Sequence, residues 1–96
     1  MTSMFERLEN YYTQNIRIDL TSAERLAKLN PDDVEYRKAA KNKNYVVSVL
    51  QGDVQESVYA LRMEKIFDTL DEAQKTFVKL TKENPDAASF DFVTEL

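Results

Sequence analysis

The run Tyr45-Val-Val-Ser-Val-Leu50 constrains this chain most. Successive side chains of a strand point to opposite faces of its sheet, and here both sets are largely apolar. A strand of this kind does not suit a sheet with one wet side; each face needs a cover. Gly52-Asp53 follows, with the only glycine of the chain. A Gly-Asp pair suits a two-residue hairpin loop whose first position has positive φ. Ser57 to Phe67 then reads as the returning strand, and a two-residue loop pairs Gln51 with Val54, Val49 with Glu56 and Val47 with Val58.

That register assigns the faces. Tyr59, Leu61, Met63 and Phe67 join Val46 and Leu50 on one of them. Tyr45, Val47 and Val49 share the other with Val58, Ala60 and Ile66, and with the charged Glu56, Arg62 and Glu64. Thr69 and Glu72 form a capping box directly after the strand, and Leu70, Ala73, Phe77 and Leu80 mark one face of a helix over about 70–83. Asn84-Pro85 stops it. This helix is expected to cover the first face, with Phe90 and Phe92 beside it on a last strand over 89–96. Strand, helix and strand in that order imply a right-handed crossover if the strands are parallel neighbours.

The N-terminal half reads as helical. Ser3 and Glu6 form a capping box, and Phe5, Leu8, Tyr12 and Ile16 recur at helical spacing, which predicts a helix over about 4–15. Ile16, Ile18 and Leu20 alternate with Arg17 and Asp19, as a short strand or an extended linker would. Thr21 and Glu24 form another capping box and open a short helix ending near Asn30. Asn30-Pro31-Asp32-Asp33 reads as a new helix start, with Asn30 as cap and Pro31 in the first position of a helix over about 31–42. The expected fold is a single α+β domain over residues 1–96: three N-terminal helices, a β-hairpin, one crossover helix and a C-terminal strand (αααββαβ). The three N-terminal helices are expected to fold over the second hairpin face, with a second subunit or a partner protein as the other candidate cover.

Composition limits the chemistry. Hydrophobic residues are 43% of the chain and charged residues 31%, as in ordinary globular proteins. There is no cysteine and no histidine. Thiolate nucleophiles, thiolate zinc sites and histidine-based triads are therefore excluded, and a single glycine excludes the Gly-rich phosphate loops. Neither a secretory signal nor a run of ~20 apolar residues is present, so the expectation is a cytoplasmic protein, cellular or made by a virus inside a cell, with no membrane partner. The formal charge of −4 is uneven. Residues 1–48 carry 8 bases and 7 acids, whereas residues 49–96 carry 5 and 10, a mildly acidic end that repels nucleic acid.

Three side-chain groups are candidates for a site. Asp68, Asp71 and Glu72 could hold Mg²⁺, but acids at a helix start are accounted for by capping and the helix dipole, so neither a metal nor a cofactor is expected. Arg37, Lys38, Lys41 and Lys43, flanked by Tyr36 and Tyr45, could grip a phosphate backbone and stack a base. A solvated helix face explains them as well. Apolar and aromatic residues at a border suit protein contacts, because they bury area while tyrosine keeps a polar tip. Phe5, Tyr11 and Tyr12 on the first helix and Tyr45, Val47 and Val49 on the hairpin are the interface candidates. The expected function is non-catalytic binding of a protein partner, as an inhibitor, adaptor or assembly factor, in a homodimeric chain that could be a viral accessory protein. The alternative is a nucleic-acid or nucleotide binder through residues 37–43.

Overall fold

A computed structural model describes residues 16–53 and 58–94, with side chains described for 16–52 and 60–94. The helix expected over 4–15 lies outside the described residues, and with it the interface candidates Phe5, Tyr11 and Tyr12.

The alternating segment is a strand, β1 (Ile16–Ser22), with Ile18 and Leu20 fully buried. Ser22 caps the helix that follows, α1 (Ala23–Leu29), accepting the Arg25 amide at 3.2 Å. The capping hydroxyl is thus one residue later than the Thr21 of the sequence reading, because Thr21 stays in the sheet and is 2% exposed. Asn30 ends α1 instead of opening the next helix. Pro31 and Asp32 form a turn, and Asp33 caps α2 (Val34–Lys41) by accepting the Tyr36 amide at 3.1 Å. Then come β2 (Tyr45–Asp53), β3 (Val58–Phe67), α3 (Leu70–Glu83) and β4 (Ala88–Asp91). The order of described elements is therefore βααββαβ, which corrects the expected αααββαβ. The Thr69 cap of α3 is present as read, its hydroxyl accepting the Glu72 amide at 3.3 Å.

Chain direction leaves α2 through Lys43, the one described non-glycine residue with positive φ, at 55°. The Lys43 amide donates to the Ala40 carbonyl and the Asn44 amide to the Ala39 carbonyl, both at 3.0 Å. These two bonds form the left-handed cap that usually employs glycine. Gly52, the expected left-handed position, lies in β2 with φ outside that region. Replacing Lys43 by glycine removes the Cβ penalty and is expected to stabilise the fold by about 0.5–1 kcal/mol in urea melts. A net loss would mean that the lysine side chain contributes more than the backbone strain costs.

The four strands form one mixed sheet in the order β3-β2-β1-β4. β1 runs antiparallel to β2 and parallel to β4, and β2 runs antiparallel to β3. The expected hairpin register is wrong. Asp53 pairs with Val58 and Gly52 with Tyr59; Val47 lies opposite Lys65 and Tyr45 opposite Phe67. A two-residue loop would have paired Tyr45 with Ala60 and left Leu61 to Phe67 without partners on β2. The longer connection lets β3 pair over the full length of β2. A bulge between Val49 and Leu50 leaves Arg62 as the additional residue on β3. One added residue inverts the in–out alternation, so the β2 faces exchange relative to the sequence reading.

As a result α3 lies over Leu20, Val47 and Phe67, with Ala73 at the contact and Tyr45, Leu70, Phe77, Leu80 and Val93 around them. The opposite face presents Val46 to α1 and α2 through Ala23 and Ala39, with Leu26 and Ala40 alongside. Small residues at this second contact let the two short helices approach the strand closely. Phe90 pairs with Asp19 on β1 and lies on the α1/α2 side of the sheet, away from α3, contrary to expectation. No helix among the described residues is long and apolar enough to cross a membrane.

Candidate functional site

Among the described residues, the sheet face that carries α1 and α2 is only partly roofed. Both helices cluster where β1 ends and β2 begins, over Val46. Along that face the ladder places Arg17 beside Leu50 and Leu50 beside Leu61, Val46 beside Ile66, and Asp19 beside Phe90. Leu61, Ile66 and Phe90 remain 52%, 42% and 40% exposed. They sit on the two outer strands, with the buried Thr21 and Ser48 between them.

At the β4 side the apolar surface is built into a charged stack. The Phe90 and Phe92 rings are stacked at 6.1 Å, 11° from parallel. The Arg17 guanidinium lies 4.5 Å from the Phe90 centroid and that of Arg25 lies 3.8 Å from the Phe92 centroid. Arg17 also binds Asp19 at 2.8 Å, which fixes its plane over the ring. The turn after β4 holds the second ring in place. Asp91 accepts the amides of Val93 and Thr94 at 2.9 Å each, and the Thr94 hydroxyl. Burial alone would raise the Asp91 pKa, but these three donors outweigh it and hold the carboxyl below its ordinary value.

At the β3 side the Tyr36 hydroxyl donates to Glu64 at 3.1 Å. Burial, and then the Glu64 carboxylate that accepts this bond, push the phenol up to about 12. Asp33, Glu35, Tyr36, Glu64 and Ile66 line an open concavity of about 350 Å³. Its wall is acidic, whereas the stack at β4 presents two arginines. The face therefore carries opposite charge at its two margins, with the exposed Leu61, Ile66 and Phe90 at those margins and Thr21 and Ser48 between them.

The hairpin candidates lie elsewhere. Val47 is fully buried under α3, and Tyr45 is half-buried against the same cluster. Val49, on the α3 side of the sheet, is half-buried as well. Of the basic candidates, Arg37, Lys38 and Lys41 meet with Val34 around an open concavity of about 300 Å³. Lys43 is directed to a different one of about 200 Å³, shared with Ser22, Glu24 and Tyr45. Tyr36, the aromatic beside this segment, is committed to Glu64. At the start of α3, Asp71 pairs with Lys75 at 3.1 Å, and among the described residues no three acids converge in a metal-binding group.

Arg17 and Arg25 were not singled out from the sequence, and Phe90 and Phe92 were expected beside α3 and not in a site. The bases that stood out there are contiguous, whereas these four side chains come from β1, α1, β4 and the turn after it. No short-range pattern brings them together; the parallel pairing of β1 with β4 does. No family model, curated protein or solved structure matches this chain.

Proposed function

We propose that this chain is a non-catalytic protein-binding module, acting as an inhibitor, adaptor or assembly factor and working as a homodimer. The observation that carries this reading is the set of large apolar side chains left open on one sheet face, Leu61, Ile66 and Phe90. Apolar surface rimmed by polar groups is characteristic of protein contacts, and arginine over an aromatic ring is the kind of rigid anchor that dominates their energetics. The arginines at one margin and the carboxylates at the other would set the orientation of a partner.

The test is capture on the immobilised chain, identification of the retained protein, and titration with that partner purified. Phe90→Ala and Leu61→Asp are each expected to weaken binding at least tenfold while leaving the circular dichroism spectrum unchanged. Undiminished affinity in both folded variants would remove this face from the function. Retention of nucleic acid that falls steeply with salt and disappears in a Lys38→Glu, Lys41→Glu variant would transfer the function to the basic segment instead.

A further inference from the structure

We infer that Arg25 is a carboxylate anchor: it takes an aspartate or glutamate of an extended partner segment whose apolar side chain, two residues away, lies on Phe90. The inference deepens the protein-binding reading above by naming the chemistry of the partner, and it rests on that reading for the partner being a protein. Arg25 is half-buried, with its guanidinium 3.8 Å from the Phe92 centroid. No ion pair or side-chain hydrogen bond joins that guanidinium to any described residue. A half-buried charge without a partner is costly, and the neighbouring acids are committed elsewhere. Asp19 holds Arg17 at 2.8 Å, Glu24 holds Lys28 at 3.4 Å, and Asp91 accepts the amides of Val93 and Thr94.

Stacking and hydrogen bonding use different parts of a guanidinium. Its π-face suits a ring, while its N–H groups form an in-plane fork that matches the two oxygens of a carboxylate. The ring beneath Arg25 is fixed through its backbone. The Phe92 amide donates to the Leu20 carbonyl of β1 at 2.9 Å, and the Asp91 turn holds the residues on either side. A donor held in this way has little freedom left to lose on binding, which is the property of an interface anchor.

Charge selects the anion. Arg17 and Arg25 bring positive charge to the stack, and Asp19 and Asp91 already balance it in number. One carboxylate satisfies the open fork, whereas a phosphate, with about 1.5–2 charges, brings a surplus beside Asp19 and Asp91. Spacing selects the apolar neighbour. The exposed Phe90 ring is centred 6.1 Å from the Phe92 ring. In an extended segment, side chains two residues apart share a face and are separated by about 6.4–6.8 Å. An acid at Arg25 therefore sets an apolar side chain over Phe90.

The probes are two acetylated, amidated pentapeptides that carry leucine and glutamate two positions apart among serines, one in each order. They are titrated into the full isotope-labelled chain, followed by NMR at the Arg25 Nε–H and the Phe92 and Val93 amides. At least one order is expected to shift these signals saturably. Its glutamine counterpart is expected to bind at least about fivefold more weakly, a contrast that needs no variant of the protein. Arg25→Gln is expected to erase the difference between the two peptides with the circular dichroism spectrum unchanged. No saturable shift with either order, equal affinity for glutamate and glutamine, or a phosphoserine counterpart that binds more tightly than glutamate would overturn the inference. So would a preference for glutamate that persists in the folded Arg25→Gln chain. The titrations use the chain alone and are decided whether or not a partner is captured. A chain that binds its partner through Phe90 and Leu61 yet treats the two peptides alike keeps the protein-binding function and loses this anchor. Failure of the capture with the peptide contrast intact removes that function and leaves Arg25 a carboxylate site.

Discussion

Leu20→Ala is expected to lower the unfolding free energy by about 2–5 kcal/mol, the range for a large-to-small change in a packed core. Leu20 is fully buried on a central strand, with Val47 opposite it on β2 and Asp91 beside it on β4. Phe67, Ala73 and Val47 share its cluster, so the vacated volume has rigid walls on the sheet side and on the helix side. For a domain whose whole stability is about 5–15 kcal/mol, the change removes a large fraction of it. Urea melts should show a lower midpoint with an unchanged slope. If residues 16–20 were a linker lying on the surface, the same substitution would cost under about 0.5 kcal/mol, as surface changes do. A loss that small would be incompatible with β1 as an inner strand.

Phe67→Ala is expected to cost about 3–5 kcal/mol, because a buried phenyl ring takes more apolar area out of water than any aliphatic side chain. Phe67 is 9% exposed, pairs with Tyr45 and carries the Lys65 ammonium 5.6 Å from its ring centroid. The size of the effect also reports on the register. With a two-residue loop at Gly52-Asp53, Phe67 would hang beyond the first residue of β2, and truncating it would cost little. A measured loss below about 1 kcal/mol would favour that shorter hairpin. Leu20 and Phe67 belong to one cluster, so the double variant is expected to depart from additivity by about 0.5–3 kcal/mol.

Much of the architecture was legible before any coordinates. The helix over 70–83 was readable from its Thr69 cap, its apolar stripe and the Asn84-Pro85 stop, since all three signals act within a few residues of chain. The strands around Tyr45–Leu50 and Ser57–Phe67 were readable from β-branched and aromatic content. The start of α2 was not, because Asn30 and Asp33 are both competent caps. The choice of Asp33 follows from the turn at Pro31-Asp32, in which the Asp33 amide donates to the Asn30 carbonyl.

The candidate site was less legible. Sequence reasoning favoured contiguous groups, Arg37 to Lys43 and Tyr45 to Val49. Val47, however, is buried beneath α3, and the side chains that do form an exposed stack, Arg17 and Arg25 with Phe90 and Phe92, are far apart in the chain. Contacts of that kind depend on which strands are neighbours, and no local propensity encodes the parallel pairing of β1 with β4.

Residue order alone determined where β2, β3 and α3 form, that the Tyr45–Leu50 strand needs cover on both faces, and that thiol and imidazole chemistry are absent. Tertiary structure alone decided that Ile16–Ser22 lies inside the sheet, how far β3 slides along β2, and therefore which face meets α3. The reason is the short reach of the local signals. Caps and apolar spacing act over a turn of helix or a pair of residues, whereas register is chosen by the total apolar area that a pairing buries, and a single bulge residue at Arg62 is enough to reverse inside and outside.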